Sequence, residues 1–132
     1  AEVIGMLELW EFPEFRFVDH IAVAANRRGQ GVGAKIFRRL MRPDRLLIAE
    51  AEPPTSQAAR RRFTFYARLG FSINRFPYVM PAYNTEKRPV QLVIISYPRA
   101  LTPPEFRKIK AVLYGQVYGH KGNGIGSSVQ EL

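Results

Sequence analysis

Between Asn26 and Lys35 the chain reads NRRGQGVGAK, with Gly29, Gly31 and Gly33 alternating with Gln30 and Val32, two arginines ahead of them and an apolar-periodic segment behind. A helix start leaves backbone N–H groups without partners and carries a partial positive charge, and glycines let a ligand reach those groups without meeting a side chain. No Ser, Thr, Asp or Asn stands immediately before Gly31 to cap the helix with its own oxygen, so the N–H groups stay available to an outside anion. Arg27 and Arg28 add charge. The chemistry this stretch suggests is the holding of a phosphate.

Known phosphate-holding turns compete for it. The pattern G-x-x-x-x-G-K-[ST] fails, because no glycine directly precedes Lys35 and Ile36 stands where a magnesium-binding hydroxyl is required. The dinucleotide fingerprint fits in form, since Gly29, Gly31 and Ala34 make G-x-G-x-x-A and Glu50 ends the next strand, where a ribose-binding acid is expected. Against it, the residues ANRR separate this turn from its strand, and later segments do not repeat strand-helix-strand units. A dinucleotide-binding oxidoreductase domain therefore stands as one alternative.

The elements that must position the turn follow from periodicity. In FRFVDHIAVA a period of two puts Phe15, Phe17, Asp19, Ile21 and Val23 on one face and Arg16, Val18, His20, Ala22 and Ala24 on the other, which predicts a strand over 15–24. After Gly31 the period becomes helical, with Val32, Ile36, Phe37, Leu40 and Met41 on one stripe until Pro43 stops the run. RLLIAEAE predicts a short buried strand ended by Pro53 and Pro54. SQAARRRFTFYARLGF predicts a second helix capped by Gly70, with Ala59, Phe63, Tyr66 and Ala67 on its inner stripe. FSINRF and VQLVIISY predict strands on either side of the loop PYVMPAYNTEKRP. In TPPEFRKIKAVLYGQVY, Thr102 stands three residues before Glu105, a capping-box spacing, and Phe106, Ile109, Leu113 and Val117 share an apolar face. Residues 121–132 are glycine-rich and polar and read as a flexible end. The pattern predicts an α/β fold, a mixed sheet with helices packed on it.

The totals bound the reading. A chain of 132 residues with 46% apolar content fits one domain, here 1–120, with a real core. Its formal charge of +9 and pI near 10.4 favour phosphates or acidic surfaces as partners. With no cysteine, disulfides, thiolate catalysis and zinc-thiolate sites are excluded, and a reducing cytoplasmic setting is permitted. Two histidines, His20 and His120, argue against a metal cluster. No apolar run approaches the roughly 20 residues that span a bilayer. Ala1 opens straight into AEVIGMLELWEF, which already reads as strand, so the expectation is a chain lacking upstream elements.

A further resemblance rests on two separated motifs. IAVAANRRGQGVGAKIFRRLM is similar to the strand, turn and helix of the GNAT family of acyl-CoA N-acetyltransferases, whose pattern [QR]-x-x-G-x-[GA] is met by Arg28, Gly31 and Gly33, and FYARLGF resembles that family's downstream helix end. The resemblance covers roughly residues 1 to 97. It implies a mostly antiparallel GNAT-like sheet, acetyl-CoA as cosubstrate without a metal, and direct transfer to a primary amine of unknown identity on a small molecule or protein. By the same resemblance, backbone groups at Ile21, Ala22 and Val23 pair with the pantetheine arm. The N–H groups of Gly29, Gln30, Gly31, Val32, Gly33 and Ala34 bind the pyrophosphate, with Arg28 helping to neutralise it. One departure is Ala59, where many members carry an asparagine that touches the coenzyme.

Acyl transfer from a thioester needs a neutral amine, a polarised carbonyl and a stabilised leaving thiolate. The resemblance assigns Tyr66 as general acid; its helical spacing with Phe63 fits core packing equally. An amine with a pKa near 10 needs a proton acceptor, and Asp19 and Glu50 are the candidates, with Glu50 ranked first and Glu52 pointing the same way. Asp19 shares its expected face with apolar residues, which could raise its pKa, and Glu50 could instead be a solvated strand end. His20 reads as a packed or surface histidine. Arg60, Arg61 and Arg62 point in successive helical directions and, with Arg38, Arg39 and Arg42, read as a solvated face. The rival is a basic nucleic-acid-binding module, with Tyr78, Tyr83 and Tyr97 as exposed aromatics, although no nucleic-acid motif appears. A partner chain, a second copy among the candidates, could complete the site.

Overall fold

The computed structural model describes residues 5–81, 89–119 and the backbone of 128–131. β1 (Gly5–Glu11) and β2 (Phe15–Val23) form an antiparallel hairpin, and a 3₁₀ turn at Ala25–Arg27 leads into α1 (Val32–Leu40), which returns the chain to β3 (Leu46–Ala51). After α2 (Gln57–Leu69) come β4 (Ser72–Asn74), the short pair β5 (Val79–Met80) and β6 (Val90–Gln91), then β7 (Val93–Tyr97) and α3 (Pro103–Val112). The sheet order is β4-β7-β3-β2-β1-β8, with β8 (Ser128–Glu131) antiparallel to β1. β2 with β3 is parallel and the other pairs are antiparallel, so the sheet is mixed and mostly antiparallel as expected. The expected flexible end is thus in part a strand. Residues 121–127 and 132 of that end, His120 before it, and residues 82–88 of the long loop, Tyr83 among them, lie outside the described residues.

Strand alternation sorts the core into two layers. Val18, Leu47, Ala49 and Ile95 pack with Ile36 and Phe37 of α1 and with partly buried Phe63, Phe65, Tyr66 and Leu69 of α2. On the other side of the sheet Phe17, Ile48 and Ile94 pack with Phe106 and Ile109 of α3. α1 buries the predicted stripe of Val32, Ile36, Phe37 and Leu40. Buried Arg16 donates Nη2 to the carbonyl of Leu40 and so holds the C-terminal end of α1 against β2. Desolvation, with Arg45 adding repulsion, lowers the pKa of that guanidinium. α2 starts at Ser56, whose Oγ accepts from Ala59 N at 3.1 Å, and stops at left-handed Gly70 with φ 103°. On its expected inner stripe Ala59 is buried but Ala67 is exposed, and Phe65 and Leu69 take the inward places.

α3 carries the capping box foretold by its spacing, with Thr102 Oγ1 accepting from Glu105 N and Glu105 Oε1 accepting from Thr102 N. It then widens into a π-helical segment over Leu113–Tyr118, in which Leu113, Val117 and Tyr118 are buried. A regular α-helix would carry Tyr118 well off the stripe of Leu113, whereas a turn closed by i→i+5 bonds sets it one turn below. The ends of β4 and β7 are tied to the start of α3 through buried Asn74. Its Nδ2 donates to the Ile94 carbonyl and to Ser96 Oγ, and its Oδ1 accepts from Leu101 N at 2.8 Å.

Candidate active site

β2 and β3 part company midway. Their parallel register runs from Phe15↔Leu46 to Val18↔Ala49 and stops, although β2 continues to Val23 and β3 to Ala51. β2 remains paired with β1 up to Gly5↔Val23, and β3 with β7 up to Ala51↔Val93. The opening therefore lies between two strands each held from its far side, and among the described residues the backbone of Ile21, Ala22 and Val23 has no strand partner on the side facing β3. A β-bulge marks the divergence, because the register slips between Glu8↔His20 and Leu9↔Val18 and leaves Asp19 as the extra residue. This corrects the expected face of β2. Phe15 and Phe17 belong to the α3 layer, but beyond the bulge Ile21 and Val23 pack in the α1 layer. Asp19 is not among them and accepts a hydrogen bond from Trp10 Nε1 at 3.2 Å.

Just past the open end of β2 the chain turns through Gly29 (φ 80°) and Gly31 (φ 75°) into α1. Both are left-handed conformations that glycine adopts without strain. Gly31 is the N-cap and supplies no side-chain cap, in contrast with the Ser56 and Thr102 caps of the other two helices. A Cβ added at Gly29 or Gly31 would meet nothing within 4 Å, so the space over the turn is open. Lys35 N bonds to Gly31 O at 3.1 Å, and the earlier amides of the first turn precede the intrahelical ladder. Arg28 Nε donates to the Val23 carbonyl at 3.3 Å, and Gln30 Nε2 to the Asn26 carbonyl at 3.2 Å. Arg28 thus bridges the open strand end to the turn. The arrangement fits an elongated ligand that carries a phosphate at the turn and an amide-bearing arm along β2.

Tyr66 lies on α2, on the α1 side of the sheet. Its ring meets Phe37, Phe65 and Phe71 edge-on at centroid distances of 5.5 to 5.9 Å. The ring packs as its spacing with Phe63 allowed, while the residue stays partly exposed. Burial raises the pKa of the hydroxyl, against a smaller opposing effect of Arg62, so it stays protonated at neutral pH.

Glu50 is the first residue of β3 beyond the last rung shared with β2, on the face of α3. It is not a free strand end. Tyr78 donates its hydroxyl to Oε2 and Tyr118 donates to Oε1, the latter at 2.5 Å. Tyr78 is 1% exposed, which overturns its expected place among exposed aromatics. Its pKa is driven far up by burial, then by the charge of Glu50. Neither tyrosine was singled out as a site residue, and the one local hint was their position on elements next to the strand end. Glu52, expected beside Glu50, instead pairs with Arg62 at 3.0 Å in solvent. His20 is exposed, and Ala59 is buried.

A parted parallel pair in a mostly antiparallel sheet, with a glycine turn into an uncapped helix beside it, gives the chain a mixed α/β fold of the acyltransferase class. The Acetyltransferase (GNAT) domain family matches residues 1–73 of the chain. The chain belongs to that family. It is 35% identical over 63 residues to the Bacillus subtilis (strain 168) protein named "Putative acetyltransferase YjbC", a stretch that makes up 46% of this chain and 33% of that protein. A solved structure named "Putative acetyltransferase from GNAT family from Bacteroides thetaiotaomicron" superposes with a TM-score of 0.81 at 28% identity, over 88% of this chain and 66% of that one. The ribosomal-protein-S18-alanine N-acetyltransferase of Escherichia coli shares the fold, with a TM-score of 0.54 at 20% identity over 75% of this chain and 63% of that one. The chain thus spans a third of the curated relative and about two thirds of the first solved structure. A dinucleotide domain needs a doubly wound parallel sheet, which this single parallel pair does not supply. No helix among the described residues is long and apolar enough to cross a membrane.

Proposed function

We propose that the chain moves an acetyl group from acetyl-CoA directly to a primary amine, in the cytoplasm. The observation that carries this reading is the parting of β2 and β3 beyond Val18↔Ala49 beside the uncapped glycine turn of α1. The amides of Val32, Gly33 and Ala34 and the turn from Gly29 hold the pyrophosphate, Arg28 adds charge, and the open edge of Ile21 to Val23 orients the pantetheine arm. Bound acetyl-CoA supplies the activated thioester carbonyl.

The chain's own residues manage the protons. Glu50 accepts the proton of the amine as the C–N bond forms, directly or through water, and its two phenol partners hold the carboxylate in place. Tyr66 gives its hydroxyl proton to the departing sulfur as the C–S bond breaks. Burial raises the pKa of the Tyr66 hydroxyl and so keeps the proton on it until negative charge develops on the sulfur beside it. Tyr66 lies in the α1 and α2 layer and Glu50 in the α3 layer, so coenzyme and amine approach from opposite faces and meet in the parting. Asp19, anchored by Trp10, borders the same opening and is the second candidate base.

The test is a thermal shift with acetyl-CoA and with a reduced nicotinamide cofactor, followed by thiol release across a panel of amines. Acetyl-CoA alone should raise the midpoint, because a ligand that prefers the folded state stabilises it. A rise with the nicotinamide alone defeats the reading. Tyr66→Phe keeps the ring in its aromatic cluster and should slow thiol release about a hundredfold; unchanged turnover removes Tyr66 from the mechanism.

A further inference from the structure

A cleft of about 480 Å³ opens where β3 and β7 end, with walls of Phe63 from α2, Phe76, Tyr78, Leu92 and Val93. Its volume falls in the range of small-molecule sites, about 300–1,000 Å³. Three observations join it to Glu50. Val93, in its wall, stands one rung beyond Glu50↔Ile94 in the pairing of β3 with β7. Tyr78 is also part of the wall, and the same side chain donates its hydroxyl to Glu50 Oε2. Leu92 N donates to the Tyr78 carbonyl at 3.2 Å, which fixes the backbone of that tyrosine to the start of β7. A molecule seated in the cleft therefore ends within the length of one tyrosine side chain of the carboxylate.

The walls decide what fits. Phe63, Phe76 and Leu92 are only partly buried, so part of their apolar surface is left for a ligand to cover. Phe76 stacks on Phe106 of α3 at 4.7 Å, which holds its ring from behind. Among the described residues no Asp or Glu lines the cleft, and its one charged residue is the exposed Arg75. A second ammonium on the acceptor would find no carboxylate there and would meet a guanidinium instead. A ring or a branched chain finds contact on several sides.

We propose that this cleft seats a ring-sized apolar group of the acceptor, so that the chain acetylates bulky apolar amines in preference to short amines and polyamines. The inference rests on the acetyl-CoA reading and names the substrate class of the same site. In the transfer the amine nitrogen bonds to the carbonyl carbon and its proton passes to Glu50, while the C–S bond breaks and the sulfur takes the Tyr66 proton. Thiol release at fixed acetyl-CoA is measured with ethylamine, phenethylamine, spermidine and a dipeptide that begins with phenylalanine. The proteins are the intact chain, Gln91→Trp and Leu92→Ala. Gln91 is exposed and lines the cleft, so a tryptophan there takes its space, whereas Leu92→Ala takes away contact. Matching thermal midpoints verify the fold of each variant, and calorimetric titration with acetyl-CoA verifies the coenzyme site.

In the unaltered chain kcat/KM for phenethylamine should exceed that for ethylamine and for spermidine about a hundredfold, the scale that a ring-sized group gains in an apolar pocket. The dipeptide ranks the two sources of the ring: a peptide N-terminus if it is the better substrate than phenethylamine, a free amine if it is the poorer, and either order supports the inference. Each variant should cut the preference for phenethylamine over ethylamine about tenfold while its affinity for acetyl-CoA stays level. A kcat/KM for phenethylamine no higher than for ethylamine or spermidine overturns the inference and leaves the acetyl-CoA reading intact. A preference that survives in both folded variants seats the ring elsewhere and overturns it as well. Thiol release with none of the amines, in a chain that binds acetyl-CoA, overturns the inference alone. Failure to bind acetyl-CoA overturns both readings together.

Discussion

Tyr118 donates its hydroxyl to Glu50 Oε1 at 2.5 Å across 68 residues of sequence, which ties the end of the C-terminal helix to the strand that borders the cleft. The link depends on the π-helical segment that turns Tyr118 inward below Leu113. If Glu50 takes the amine proton, loosening it must show in turnover. Tyr118→Phe deletes one donor and should lower kcat for amine acetylation about three- to tenfold, and Glu50→Gln about a hundredfold or more. KM for acetyl-CoA should not move in either, because neither residue lies in the glycine turn. Removing one hydrogen bond to a carboxylate should also cost about 1–2 kcal/mol of stability in Tyr118→Phe, read by urea unfolding. Wild-type kcat in Glu50→Gln would pass the role of base to Asp19.

The glycine turn allows folding and ligand approach to be separated. Gly31 sits at φ 75° with open space where a Cβ would go, so Gly31→Ala suffers no clash but must hold a left-handed conformation. That costs about 1 kcal/mol. Gly33 has an ordinary helical backbone, and a Cβ there would meet only Phe65 Cζ at 3.7 Å, so Gly33→Ala should leave stability level or raise it by about 0.5 kcal/mol. On the proposed reading the Gly31 methyl enters the open space through which the pyrophosphate would reach the amides, so Gly31→Ala should weaken acetyl-CoA binding about tenfold, whereas the Gly33 methyl turns towards Phe65 at a position where the family pattern admits alanine, so Gly33→Ala should bind as the unaltered chain does. Full affinity in Gly31→Ala would place the phosphate elsewhere.

What could be read from the sequence was what local chemistry decides. Thr102 with Glu105, Ser56 with its helix, and Gly70 at a helix end are each settled within a few residues, and each is found where its spacing put it. The glycine turn belongs to this group. The face of Asp19 was misread because a bulge is a mismatch between two strands, and the period of β2 alone carries no sign of the slip against Glu8 and Leu9. Tyr78 and Tyr118 were not foreseen because they reach Glu50 only after β5 and the C-terminal helix have folded over β3. Arg60 and Arg61 were read one helix at a time, whereas in the fold they share a groove with Arg38 of the facing helix.

Asn74 tests whether the seam between the sheet and α3 governs the placing of Tyr118. Its amide satisfies Ile94 O, Ser96 Oγ and Leu101 N in a site where the residue is 3% exposed, and Ser96 Oγ in turn donates to Arg99 O at 2.7 Å. Asn74→Ala removes three partners at once and strands the Leu101 N–H. A loss of about 3 kcal/mol is expected, seen as a lower urea midpoint at unchanged slope. Asn74→Asp restores the acceptor for Leu101 but removes both donors and buries a charge, so it should not rescue. A loss under about 1 kcal/mol in Asn74→Ala would show that water replaces the amide and that the seam is not held by it.

The start of α3 gives the fold an acid-sensitive contact whose direction is set by Glu105. Its carboxylate pairs with Arg99 at 2.7 Å and accepts from Thr102 N, and these partners hold its pKa at about 2 against an ordinary 4.5, Arg99 contributing most. A folded value below the unfolded one means that the unfolded chain binds the proton more readily. The contribution is therefore complete above about pH 4.5 and is lost as pH falls from there towards about 2. The pair is partly open to solvent, so salt screens it and its share of the total stability is modest. Glu105→Gln keeps an acceptor for the cap but cannot hold the charge, and its unfolding midpoint should fall less steeply than that of the unaltered chain between pH 4.5 and 2, with the two curves converging at the acid end. Thermal unfolding of both proteins across that window at two salt concentrations measures it. Parallel curves would mean that Arg99 and Thr102 do not favour the charged form of Glu105 in solution.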